Sequence, residues 1–189
     1  MKVTAITLRP GNVLDREGKL WVVTGYEIMQ PGKGASVIQV EMRDIKSGNK
    51  DNVRYRTQET VERVRLEQRD HQYLFNDGEN TYTFMDTETY EQVEVSGEII
   101  GEPKVFLQDG MIVVIESHEG TPLSVELPTS VTMEVVEAEP VVKGQTATTS
   151  YKPAILENGA KVMVPPFIEV GTRIVVKTED SSYVERAKD

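Results

Sequence analysis

Lys33 stands at the tip of Pro31-Gly32-Lys33-Gly34, between the strand-like runs Leu20-Trp21-Val22-Val23-Thr24 and Tyr26-Glu27-Ile28 before it and Ala35-Ser36-Val37-Ile38-Gln39-Val40 after it. Proline presets its own φ and glycine enters turn conformations without a Cβ penalty, so the loop reads as short and sterically bare around one long cation. An ammonium group has three donors and no acceptor, and at such a tip it can reach outward to phosphate, carboxylate or carbonyl oxygen. The same residues also suffice for a solvated hairpin turn whose lysine serves solubility, and the turn alone does not separate the two readings.

Other chemistries find little support. A phosphate-binding loop would need a glycine where Glu27 stands and Ser or Thr where Gly34 stands, and it would need a helix after the loop. His71 and His118 are the only histidines and lack metal-ligand spacing, so one or both read as surface residues. Asp77, Glu79, Asp86, Glu88 and Glu91 form a carboxylate-rich stretch that fits no calcium loop and reads as a solvated face. There is no Cys, which excludes disulfides and thiolate metal sites. No catalytic residue, metal site or cofactor loop is expected.

The elements that must position Lys33 read as strands nearly throughout. Short β-branched or aromatic runs recur, among them Tyr73-Leu74-Phe75, Tyr82-Thr83-Phe84-Met85, Val93-Glu94-Val95, Met111-Ile112-Val113-Val114-Ile115, Ser124-Val125-Glu126-Leu127, Val131-Thr132-Met133-Glu134-Val135-Val136 and Ile174-Val175-Val176. Turn formers such as Asn76-Asp77-Gly78, Gln108-Asp109-Gly110 and Glu157-Asn158-Gly159 separate them, and one helical turn is expected around residues 88–93. Many short strands with frequent turns predict an all-β chain of small barrels. A faint echo links Gly110 before Met111-Ile112-Val113 to Gly171 before Thr172-Arg173-Ile174, explained either by related barrels or by the frequency of glycine before strands.

Boundaries near Arg65 and Pro128 give three pieces, 1–65, 66–128 and 129–189. The net charge of -10 on 189 residues would by itself argue against a nucleic-acid partner. The first piece, however, holds 12 Lys+Arg against 8 Asp+Glu, a net of +4, while the second carries -12 and the third -2. Because screening confines charge effects to about 8 Å at physiological salt, a basic first piece can bind phosphates within an anionic chain. No apolar run approaches membrane-spanning length and the N-terminal residues lack the apolar centre of a signal peptide, so a cytoplasmic protein is expected.

Several separated motifs occur in one order across nearly the whole chain: Pro31-Gly32-Lys33-Gly34, Tyr73-Leu74-Phe75-Asn76-Asp77-Gly78, Tyr82-Thr83-Phe84-Met85-Asp86, Tyr90-Glu91-Gln92, Lys152-Pro153-Ala154, Val164-Pro165-Pro166-Phe167-Ile168 and Tyr183-Val184-Glu185-Arg186-Ala187. In these the chain resembles the bacterial translation elongation factor P family. The resemblance implies an N-terminal SH3-like, KOW-type barrel and two OB-fold barrels in an elongated arrangement with the outline of a transfer RNA. It implies a monomer that binds the ribosome between the peptidyl and exit sites and relieves stalls at consecutive prolines, with ribosomal RNA, ribosomal proteins and peptidyl-tRNA as partners.

In that family the lysine matched by Lys33 reaches toward the CCA end of the peptidyl-tRNA. It is commonly lengthened by a modifying enzyme, through β-lysylation or a similar extension. The resemblance further makes Pro31, Gly32 and Gly34 the tip loop and Tyr183 and Arg186 contacts to tRNA or ribosome, with a Tyr packed on its barrel as the plain alternative. Gly144-Gln145-Thr146 stands where many relatives have Gly-Asp-Thr in a loop associated with the exit-site codon, and Gln145 removes a charge there while keeping an acceptor. Arg54 and Arg56 lie on the basic piece as candidate phosphate contacts or as ordinary surface charges. A paralogous factor with the same fold and a β-rich binding module remain the rival readings.

Overall fold

The computed structural model describes residues 1–141 and 150–188. Short antiparallel strands dominate, and among the described residues no helix is long and apolar enough to cross a membrane. By Cα proximity the chain forms two compact units, Met1–Glu67 with Glu116–Leu123, and Gln68–Ile115 with Ser124–Asp189.

The first unit is built on β1 (Lys2–Thr4), β2 (Val13–Arg16), β3 (Lys19–Met29), β4 (Val37–Asp44), β5 (Lys50–Arg56) and β6 (Thr60–Glu62). β2, β3, β4 and β5 make one antiparallel sheet in that order, and β1 pairs with β6. A Leu14–Arg63 bridge and a bond from the Val64 N–H to the Val13 carbonyl (2.8 Å) tie that pair to β2. Alternate residues of β4, Ile38, Val40 and Met42, turn inward onto Leu14, Trp21 and Val23 and make the core. β5 escaped the sequence reading because Lys50-Asp51-Asn52-Val53-Arg54-Tyr55-Arg56 is mostly polar; only Val53 and Tyr55 reach the core.

The remaining strands form two five-stranded sheets. β7 (Glu67–Asn76), β8 (Thr81–Asp86), β9 (Gln92–Ser96), β10 (Ile112–His118) and β11 (Thr121–Glu126) are ordered β11-β10-β7-β8-β9. β12 (Ser130–Ala138), β13 (Lys152–Leu156), β14 (Lys161–Val164), β15 (Arg173–Lys177) and β16 (Tyr183–Arg186) are ordered β14-β13-β12-β15-β16. One hydrophobic cluster runs through the second unit, from Tyr73, Phe84 and Phe106 to Met133, Leu156 and Ile174. An α-helical turn lies at Gly97–Ile100, where the Ser96 hydroxyl accepts from the Glu98 N–H, and 3-10 turns lie at Ala5–Thr7 and Glu102–Phe106; residues 87–91 are a hairpin turn with no helix.

The glycine echo proves to be a shared corner, and it extends to the first unit. The Gly110 N–H donates to the Tyr73 carbonyl while the Tyr73 N–H donates to that of Met111; Gly171 and Thr172 make the same exchange with Val135, and Gly11 and Asn12 with Val23. Each glycine has φ between 83° and 95°. Each partner sits at a register shift in a long strand, Val23/Gly25, Tyr73/Phe75 and Val135/Glu137. Such a bulge bends the strand, and the left-handed glycine brings the next strand onto the bend. An added Cβ at Gly171 meets nothing within 4 Å, so the cost of replacing it is conformational. Gly171→Ala is expected to lose about 1–2 kcal/mol in urea unfolding with no change in the folded spectrum.

Candidate functional site

β3 and β4 continue past the barrel core as an arm, and their register ends at Met29 opposite Val37, leaving residues 30–36 as the tip. Within it the Gly34 N–H donates to the Pro31 carbonyl (3.0 Å), closing a turn that places Gly32 and Lys33 at its two corners. All of residues 31–35 are exposed. Among the described residues the Lys33 ammonium has no hydrogen-bond or ion-pair partner.

The two glycines are not there for the turn. Neither Gly32 nor Gly34 has a left-handed φ, which corrects the expectation that they supply special turn conformations. A Cβ on Gly32 would meet nothing within 4 Å, and one on Gly34 would make an ordinary 3.5 Å contact with Pro31. The fold would accept alanine at both positions. What the glycines provide is bareness beside Lys33.

Arg54 faces Gln39 and Glu27 across the sheet, and Arg56 faces Val37 and Met29. The buried residues of β4 lie on the opposite face, so both guanidinium groups project from the outer side of the arm, directly below the tip. The structure thus gathers Lys33, Arg54 and Arg56 on one end of the first unit.

Tyr183 and Arg186 are three residues apart, which in a regular strand would send them to opposite faces. A register shift between β15 and β16 places Tyr183 opposite Val176 and Arg186 opposite Ile174, and both of those are fully buried residues of one face. Tyr183 packs in part on the core and meets Tyr151 edge to face at 6.4 Å. Arg186 lies over the Phe167 ring at 5.0 Å. Sequence reasoning missed Tyr151 and Phe167, although both are more than half exposed, because their contact with β16 depends on the bulge. Gly144, Gln145 and Thr146 lie outside the described residues.

In the middle stretch Glu79, Glu88 and Glu91 are exposed, as a solvated face requires, whereas Asp77 and Asp86 make structural hydrogen bonds. Asp77 accepts from the N–H groups of Glu79, Asn80 and Thr81 at 2.9–3.1 Å. Asp86 is buried, takes the Arg69 guanidinium at 2.6 Å and accepts from the Glu88 and Thr89 N–H groups. His71 is buried as well, with Nδ1 3.0 Å from the Arg69 carbonyl. Among the described residues no group of His, Asp and Glu could hold a metal ion.

The hydrogen bond from Arg69, then those from the Thr89 and Glu88 N–H groups, hold the Asp86 carboxyl far below the usual carboxylate range. A pKa depressed on folding gives stability that is present above the unfolded value near 4 and fades as pH falls below it. Melting curves are therefore expected to show Asp86→Asn less stable than wild type at pH 7, with a smaller further loss on acidification to pH 3.

Comparison with known proteins agrees with this architecture piece by piece. Three family models match: the elongation factor P KOW-like domain over residues 4–61, the elongation factor P OB domain over 66–125, and the elongation factor P C-terminal domain over 131–186. Elongation factor P of Rhodospirillum centenum is 59% identical over 189 residues, and that of Rhodospirillum rubrum 56% over 188, with full coverage of both chains in each case. The solved structure of a eukaryotic translation initiation factor 5A from Methanococcus jannaschii shares the fold over 68% of this chain and 92% of its own, at TM-score 0.51 and 22% identity. With family models along nearly its whole length and relatives more than half identical from end to end, this chain belongs to the elongation factor P family.

Proposed function

We propose that this translation factor binds the ribosome between the peptidyl and exit sites and that Lys33 reaches the CCA end of the peptidyl-tRNA, relieving stalls at consecutive prolines. The observation that carries this reading is the tip itself: an exposed cation without a partner among the described residues, flanked by two glycines that have no left-handed φ. Proline is a poor partner in peptide transfer because its ring fixes φ and its nitrogen is secondary. A cation that holds the tRNA end in an aligned state lowers the entropic part of the barrier, and no acid, base or nucleophile from this chain is required. The reaction remains the ribosome's.

In the same reading Lys33 is the acceptor for β-lysylation or a similar extension by a modifying enzyme, which would add reach and donors. Arg54 and Arg56 take phosphates beside the tip, and Tyr183 and Arg186 contact RNA from the C-terminal sheet. Gly144-Gln145-Thr146 meets the exit-site codon. Residues 1–65, 66–128 and 129–189 act as three domains of a cytoplasmic monomer, with the acidic second one toward solvent or a basic ribosomal protein.

A reconstituted translation system reading three consecutive prolines tests the proposal. Added factor is expected to restore full-length product and to co-sediment with the stalled ribosomes. Absence of both from a folded, fully modified protein would overturn it.

A further inference from the structure

The arm that carries Lys33 has a second surface that the fold leaves unused. The shift at Val23/Gly25 sets Tyr26 opposite Val40 and Ile28 opposite Ile38, on the face that lower down forms the core. Yet Tyr26 is 40% exposed and Ile28 47%, and neither belongs to the core cluster. Alternate residues lie about 7 Å apart along a strand, so the two side chains form a line that leads toward the tip.

Arg9 completes the surface. Its Nη1 donates to the carbonyls of Ile6 (2.9 Å) and Leu8 (2.7 Å), and its guanidinium lies 4.6 Å from the centre of the Tyr26 ring. Two carbonyls and a ring fix the guanidinium plane, while its other N–H groups have no partner among the described residues. An exposed aromatic, an exposed aliphatic and a positioned cation with spare donors are what an unpaired nucleotide needs, namely apolar faces for the base and a fork for the phosphate.

We infer that Arg9, Tyr26 and Ile28 form a stacking platform for an unpaired nucleotide of the RNA strand that Lys33 reaches. This rests on the reading of Lys33 as RNA-facing. The platform would hold the strand in line with the tip, so that Lys33 meets it in a fixed register. A protein loop could also cover such a surface, but it would leave the guanidinium donors without the phosphate that their arrangement fits.

The test uses the full, modified protein on ribosomes stalled at three prolines. Tyr26→Ala and Ile28→Ser, both at exposed positions, are each expected to raise the factor concentration for half-maximal relief about tenfold with an unchanged melting temperature, and Tyr26→Trp to restore relief. A benzophenone amino acid at position 26 is expected to crosslink to RNA. Should wild type relieve the stall and Lys33→Ala fail while the Tyr26 and Ile28 variants match wild type, the platform is wrong and the reading of Lys33 stands. Crosslinks to ribosomal protein alone would also overturn the platform. Failure of wild type itself removes both.

Discussion

Lys33→Ala is expected to abolish relief of the three-proline stall while leaving the folded protein unchanged. The side chain is exposed and has no hydrogen-bond or ion-pair partner among the described residues, so its loss alters stability by no more than about 0.5 kcal/mol, the usual range for surface substitutions. Hydrogen bonds made by a charged group contribute about 1.5–3 kcal/mol, and every 1.36 kcal/mol is tenfold in rate, so the acceleration should fall on the order of 10- to 100-fold. Single-turnover peptide formation with saturating factor measures this directly. Lys33→Arg separates two contributions, because it keeps a cation at the tip but offers no acceptor for a lysyl extension. An arginine variant as inactive as the alanine one would assign the effect to the extension; wild-type activity would assign it to charge and reach alone.

Phe84→Ala is expected to produce the largest loss of stability. Phe84 is 0% exposed on β8, between β7 and β9, with its ring 5.5 Å from that of Tyr73. Truncating a fully buried phenylalanine costs about 3–5 kcal/mol through lost transfer energy and the cavity left behind, against a total of about 5–15 kcal/mol for a typical domain. Because one cluster runs through both five-stranded sheets, the second unit should lose stability as a whole. The core around Leu14, Trp21 and Ile38 is a separate cluster and should keep its own transition. Calorimetry would show one transition lowered and the other in place. A β12–β16 sheet that melts as in wild type while β7–β11 unfolds would mean that the shared cluster carries little coupling.

The legible part of this molecule is what side-chain pattern controls. Apolar alternation marks β4, β8 and β12, and the proline, glycines and lysine of the tip mark the loop that the register of β3 and β4 defines. What stayed hidden was set by backbone hydrogen bonds. Nothing in Val23-Thr24-Gly25 announces that the strand changes parity there, so Tyr26 and Ile28 could not be assigned to a face. The shift in β16 likewise unites Tyr183 with Arg186, and through them Tyr151 and Phe167. Polar β5 stayed hidden for the opposite reason: its composition points outward while its pairing with β4 holds it in place. Family resemblance supplied what pattern could not, the reading of Tyr183 and Arg186 as a pair.

The parity change at Thr24-Gly25 also governs how far the tip can be moved. Beyond it, β3 and β4 are a regular ladder as far as Met29 and Val37. One residue added to each strand would turn Glu27 inward and Tyr26 and Ile28 outward, whereas two added to each would preserve every facing. The reach of Lys33 is therefore adjustable only in whole steps of about 7 Å, a coarse scale for a group proposed to meet a single RNA end. In the proposed function, chemical lengthening of the lysine side chain would supply the finer increments that the strands cannot.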